Sequence, residues 1–296
     1  MAQTAAPARP ARTPSAPRRT PPARTTPKSG HIHGLDGIRA LAVGAVLVFH
    51  LRPTSLPGGF LGVDVFFVIS GFLITTLLLR ELGRRGRVDL PQFWLRRARR
   101  LLPALVSTVL VSVSLAAVAG GDLLVDVGRQ VLGAFTFSTN WLEVGAGASY
   151  FAQTSPVLFL NFWSLAVEEQ FYLLWPVLLV VLVAVVSSGR HRVRVALAVA
   201  AVSAVLMGVL YTPGEDATRV YYGTDTHLFG LMIGVALAFA WSAPGSWLHS
   251  PAWLRLRQPA ALAAAGGLLV LMLVLRDDSA LTFRGGILVA SLLTAV

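Results

Sequence analysis

A chain of 296 residues that is 55% hydrophobic and only 13% charged, with a mean hydropathy of +0.67, falls outside the soluble class. Its net charge of +11 is concentrated: the first 30 residues hold six basic and no acidic side chains, and Arg80 to Arg100 holds eight arginines against two acids, so the remainder is near neutral. That distribution excludes a nucleic-acid partner and favours basic segments lying on anionic membrane lipids, while the absence of cysteine excludes disulfides and thiolate metal sites.

In chain order, residues 1–30 carry seven of the 17 prolines among Ala, Thr, Ser and Arg, and no apolar run. This predicts a disordered basic cytoplasmic tail; the apolar segment behind it has no convincing cleavage site, so a signal peptide fits poorly. Apolar runs then recur at about 36–52, 60–79, 101–119, 164–186, 195–211, 226–241 and 259–275, with a last one from about 283. Several are shorter than the roughly 20 residues that a bilayer crossing takes. The predicted fold class is all-α, a polytopic transmembrane helical bundle forming one domain over 31–296. Basic linkers at 80–100, Arg190 to Arg194 and Arg255 to Arg257 alternate with acidic or neutral ones containing Asp122, Glu215, Asp216, Asp277 and Asp278. The excess of arginine on one set of linkers predicts a cytoplasmic N-terminus and puts the loops near 53–59, 120–160, 212–225 and 276–282 outside. The segment from 125 to 163 has three readings: two short crossings, a re-entrant hairpin, or a folded external loop. The chain stops at Val296 inside a hydrophobic run, which predicts an incomplete domain.

Charged groups inside apolar runs cost several kcal/mol unless they face the bundle interior or one another, which makes them the candidates for function. In the first run, a helix brings Asp36, Arg39 and His50 onto nearly one face. Arg39 and His50 lie roughly 16 Å apart along its axis, so an Arg39 at one mouth can hold a phosphate while His50 works farther along. The competing structural reading is an interfacial Asp36–Arg39 pair and an incidental histidine near a helix end. In the second run, Asp64 follows a glycine-rich entry and is either catalytic or a structural hydrogen-bonding group. Ser70, six residues on and on a different face, reads as a packing notch. Arg96, Arg97 and Arg100 precede Pro103. Most of that stretch reads as a basic interfacial anchor, with these three as candidates to grip a phosphorylated cofactor. Glu168 and Glu169 open the run after Trp163 and Ser164, where a carboxylate can hold an imidazole in the correct tautomer or merely contribute to a helix cap. His227, after Thr224-Asp225-Thr226, is a weaker candidate to line the same cavity. The six histidines are too scattered to predict a metal site.

These segments, Asp36-Gly-Ile-Arg39 with His50, Gly59-Phe-Leu-Gly-Val-Asp64-Val-Phe-Phe-Val-Ile-Ser70-Gly-Phe, the arginine-rich turn before Pro103, Trp163-Ser-Leu-Ala-Val-Glu168 and Thr224-Asp-Thr-His227, resemble in order the landmarks of the membrane-bound acyltransferase-3 family. The resemblance runs from about residue 31 to the end. It implies a bacterial inner-membrane O-acyltransferase that takes an acyl group, usually acetyl from acetyl-CoA, and esterifies a hydroxyl on a cell-surface glycan, a lipid-linked sugar or a glycosylated small molecule. Arg39 and His50 match the family's essential pair, with His50 as general base or transient acyl carrier, and Glu168 matches its glutamate. Many relatives carry Asp-Thr-Arg where this chain has Asp225-Thr226-His227. The runner-up expectation is a transporter or flippase that moves substrate without chemistry, and a third is an inactive truncated acyltransferase.

Overall fold

The computed structural model describes residues 34–151 and 157–296, so the predicted tail over 1–30 lies outside the described residues. Every regular element among them is helical. In chain order they are α1 (Leu35–Leu51), a 3₁₀ turn (Gly59–Leu61) leading into α2 (Gly62–Arg85), α3 (Leu90–Ala119), α4 (Val127–Thr136), α5 (Thr139–Gly145), α6 (Phe162–Val185), α7 (Gly189–Leu210), α8 (Thr218–Tyr222), α9 (Thr224–Ser242), α10 (Pro251–Val274) and, after a π-helical kink at Thr282–Gly286, α11 (Ile287–Thr294). Six helices, α2, α3, α6, α7, α9 and α10, are long and apolar enough to cross a membrane. The 17-residue α1 and the stretch Thr282–Thr294 are apolar but shorter. This is a polytopic helical bundle, and its outward side chains are largely apolar: Leu41, Leu51, Val118, Val185 and Leu262 all stand exposed, as a lipid-facing surface requires.

Two local boundaries differ from the hydropathy pattern for identifiable reasons. The arginine-rich stretch expected to be a linker up to residue 100 is helical from Leu90, because the Asp89 side chain accepts from the Gln92 N–H at 3.1 Å and Pro91 pre-sets the first turn. Arg96, Arg97 and Arg100 therefore sit within α3 at helical spacing. Gly86, in a left-handed conformation at φ 69°, ends α2 just before. Within the segment from 125 to 163, α4 and α5 have 10 and seven residues and are too short to cross, which argues against the reading as two crossings. Ala134 and Phe159 from this segment join Leu105 and Val109 of α3 in a small core of their own.

The main core is organised by α2 and α9. A Cβ on Gly71 would overlap the Leu231 carbonyl, and one on Gly234 would overlap the Val68 carbonyl, so the two backbones meet where only glycine fits. Asp64 faces His227 and Phe67 faces Gly230, which makes the two helices parallel. On the other side of α2, Gly59 and Gly62 meet the carbonyls of Ala45 and Ala42 of α1 in the same manner. The end of the bundle where α1 finishes and α2, α6 and α9 begin carries His50; the opposite end carries Arg85 and the start of α7.

Candidate functional site

His50 occupies the last turn of α1 and is exposed. Its Nδ1 lies 2.8 Å from the Val46 carbonyl oxygen. A carbonyl only accepts, so Nδ1 carries the proton and Nε2 of the neutral ring has a free lone pair. Opposite Nε2, at 3.3 Å, is the hydroxyl of Tyr150, from the segment that follows α5. Burial pushes the Tyr150 hydroxyl far up, so it stays protonated and donates to the imidazole. The tyrosine is fixed from behind. Its backbone N–H donates to Thr218 Oγ1 at 2.8 Å, and its ring packs on Tyr221, Tyr222 and Trp163 with centroids 5.3, 5.7 and 6.1 Å away. Trp163 itself stacks on Tyr222 at 5.0 Å.

Asp64 and His227 meet behind this aromatic wall, both fully buried, with Oδ1 and Nε2 2.7 Å apart. His227 Nδ1 is 2.7 Å from the Tyr221 carbonyl, and Trp163 and Phe67 pack against the ring. Nδ1 must again donate, so one proton is shared between Nε2 and the carboxyl and the pair is neutral overall in either form. The second carboxylate oxygen of Asp64 is buried without a hydrogen-bond partner among the described residues.

Farther toward the Arg85 end, Ser70 Oγ donates to Glu168 Oε1 at 2.6 Å, joining α2 to α6. Glu169 accepts from Arg97 Nη2 at 3.3 Å, and the Arg97 guanidinium stacks 3.4 Å above the Tyr172 ring. Arg39 and Arg97 are both close enough to act electrostatically on Glu168. Arg39 is half-buried, and its Nε has no hydrogen-bond partner among the described residues.

The sequence-predicted residues thus separate into two groups and some outliers. His50 is not held by Glu168: its tautomer is set by the helix backbone, and the carboxylate–imidazole pair of this bundle is Asp64 with His227. Ser70, expected to be only a packing notch, is the hydrogen-bond partner of Glu168. Arg96, Arg97 and Arg100 have different neighbours. Arg96 lies 3.8 Å from Glu81, Arg97 is engaged by Glu169 and Tyr172, and Arg100 stands exposed. Asp36 sits exposed in the first turn of α1, where a carboxylate complements the helix dipole.

Two features escaped the sequence reading. One is Tyr150, whose signal was an aromatic pair, Tyr150-Phe151, in a stretch of small and polar residues ahead of Pro156. The other is a polar network in which Thr224 Oγ1 donates to Gln170 Oε1 at 2.6 Å, Gln170 Nε2 donates to Asn140 Oδ1 at 3.0 Å, and Asn140 Nδ2 donates to the Tyr222 backbone carbonyl at 3.0 Å. It fastens α5, α6 and α9 around the aromatic wall. Arg219 additionally grips Asp225 through two hydrogen bonds of 3.1 and 2.8 Å, supplying beside Asp225 a guanidinium that the Thr224-Asp-Thr-His227 segment lacks. Among the described residues no group of His, Asp and Glu is arranged to hold a metal ion.

Comparison with known proteins bears on what this arrangement serves. The family described as "Acyltransferase domain" matches residues 32–295. Peptidoglycan O-acetyltransferase OatA of Listeria monocytogenes is 39% identical over 272 residues, covering 90% of this chain and 43% of that protein. YrhL of Bacillus subtilis is 41% identical over 271 residues, covering 90% and 42% respectively. The chain therefore spans less than half the length of these curated relatives. No solved structure matches it. With nearly its whole length matched, and with the ordered motifs carried by α1, α2, α3, α6 and α9, the chain belongs to the membrane-bound acyltransferase-3 family.

Proposed function

We propose that this chain moves an acyl group, acetyl before others, from acyl-CoA to a hydroxyl of a cell-envelope glycan, with His50 as the base. The observation that carries the proposal is the state of His50: an exposed imidazole whose Nδ1 proton is tied to Val46 and whose Nε2 is left as the acceptor, beside the Tyr150 hydroxyl. A base that accepts an acceptor's proton needs that arrangement. The name of the Listeria relative, a peptidoglycan O-acetyltransferase, supports a glycan acceptor by analogy.

The donor's phosphates require cations. Arg39 fits, since it offers a buried, unpartnered Nε, and exposed Arg100 adds charge, whereas Arg96 and Arg97 already have partners. Acyl-CoA supplies an activated thioester. His50 Nε2 takes the proton of the acceptor hydroxyl as its oxygen bonds to the acyl carbon, and the imidazolium returns that proton to the departing sulfur once the carbon–sulfur bond breaks. The Tyr150 hydroxyl, 3.3 Å from Nε2, positions the imidazole before the acceptor arrives. Glu168 lies too far into the other cluster to orient His50 and instead balances the Arg39 and Arg97 charges. The arginine-rich ends of α2 and α7 favour the Arg85 end as the cytoplasmic one, which puts His50 near the outer face of a bacterial inner membrane with the N-terminus inside.

The test is transfer of label from acetyl-CoA into envelope glycans and extractable small molecules by membranes containing the chain, its His50→Ala variant, or neither. Ester label that depends on His50 is expected. Equal label in all three, with expression confirmed, overturns the proposal.

A further inference from the structure

A second basic region lies at the Arg85 end, away from the acyl-transfer residues, and it encloses space. The ends of α2, α6 and α9 and the start of α7 surround a half-open cavity of about 1030 Å³. Arg190, Arg192 and Arg194 line it together with Leu82, Phe239 and Trp247, and no described lining residue is acidic. The three arginines do not play the same part. Arg192 donates from Nε to the Val186 carbonyl at 2.7 Å and from Nη2 to the Val183 carbonyl at 3.2 Å, which satisfies the open end of α6. Arg190 and Arg194, four residues apart and so on one face of α7, are exposed toward the same cavity.

We propose that this cavity binds an anionic phospholipid, its phosphate between Arg190 and Arg194 and an acyl chain along Leu82 and Phe239. Charge complementarity selects the headgroup: guanidinium pairs suit phosphate oxygens, and no carboxylate competes. Size and lining select a lipid over a free anion, because a space of this volume holds a drug-sized molecule and much of its wall is aliphatic or aromatic. Depth agrees, since the cavity opens where membrane-crossing helices end, and exposed Trp247 marks the level at which indoles sit among headgroups. Basic pockets between transmembrane helices at that level are recognised binding places for acidic headgroups. The inference is independent of the acyl-transfer reading and goes beyond it.

The experiment uses the full chain purified in a neutral detergent, with lipid binding followed by native mass spectrometry during titration with phosphatidylglycerol, phosphatidylcholine or soluble glycerol phosphate. Saturable binding of phosphatidylglycerol is expected, with phosphatidylcholine binding far more weakly and glycerol phosphate failing to compete. The double variant Arg190→Gln/Arg194→Gln should weaken phosphatidylglycerol binding about 30-fold, roughly fivefold per arginine, while Arg255→Gln/Arg257→Gln, in the first turns of α10, changes it by less than about twofold. All four side chains are exposed, so folding is not at stake, and Arg192 is left to hold α6. Equal loss in both double variants would reduce the effect to general surface charge, full competition by glycerol phosphate would make this a free-anion site, and undiminished binding in Arg190→Gln/Arg194→Gln would remove the site altogether. Each of these three overturns the proposal.

Discussion

His50 and His227 are tethered alike and differ in everything else. Each donates Nδ1–H to a backbone carbonyl, Val46 at 2.8 Å and Tyr221 at 2.7 Å, so each has the same ring nitrogen left to use. At His227 that nitrogen meets Asp64 at 2.7 Å in a site closed to solvent; at His50 it meets a neutral hydroxyl at 3.3 Å with the ring exposed. The buried pair looks more like the familiar carboxylate–imidazole couple of hydrolytic enzymes, yet no acceptor can reach it. Its bond joins α2 to α9 across 163 residues of sequence and stabilises the seam between them. The two sites separate two properties that a histidine can have: a tight carboxylate partner at His227, and access from solvent at His50.

The contrast can be broken by experiment, first at His50. His50→Ala should lower acyl transfer by about a hundred- to ten-thousand-fold, the usual worth of a positioned base, and leave the unfolding midpoint in detergent nearly unchanged. His227→Ala should do the reverse to stability. It strands Asp64 in an apolar interior, which costs about 3–5 kcal/mol and should appear as a markedly lower melting temperature or failure to purify as a monodisperse species. If His227→Ala melted like the parent and lost transfer, the roles assigned to the two histidines would be exchanged. Arg39→Gln tests the second cluster: KM for acetyl-CoA should rise about tenfold with kcat little changed, since the guanidinium is assigned to binding the donor before and during reaction alike. A fall in kcat at constant KM would move Arg39 into the chemistry. Tyr150→Phe is the mildest change, removing one hydrogen bond to Nε2 while keeping the ring in its aromatic wall. A roughly fivefold drop in kcat without loss of stability is expected, and a parent-like rate would deny the hydroxyl any part.

Much of the architecture was readable in advance because hydropathy reports directly on lipid exposure. The bundle, the apolar runs and the clusters around Asp36, Arg39, His50, Asp64 and Glu168 could be located by their conflict with a hydrocarbon environment. What could not be read was which of these groups meet. Ser70 and Glu168 are 98 positions apart, His50 and Tyr150 are 100 apart, and their pairing follows from how α2, α6 and the segment after α5 pack rather than from any local periodicity. Arg96 and Arg97 add a second instance. Glu81 on the preceding helix lies 3.8 Å from Arg96 and Glu169 on α6 lies 3.3 Å from Arg97, neighbours visible only once those helices lie side by side. The extent of α3, by contrast, was encoded locally in Asp89 and Pro91 and was hidden by the weight given to charge over capping.

The interlocking of α2 with α9 has a bearing on the rival expectation of a carrier. Alternating access works by rocking one group of helices against another, and the sliding surfaces must have side chains that can trade neighbours. Along Gly71, Leu231, Gly234 and Val68 there are none to trade, because main chain rests on main chain. This pair behaves as a keel: it fixes Asp64 and His227 against each other where the two backbones meet. A seam of this kind is a poor place for the opening and closing that passage of a whole sugar between the two ends of the molecule would need.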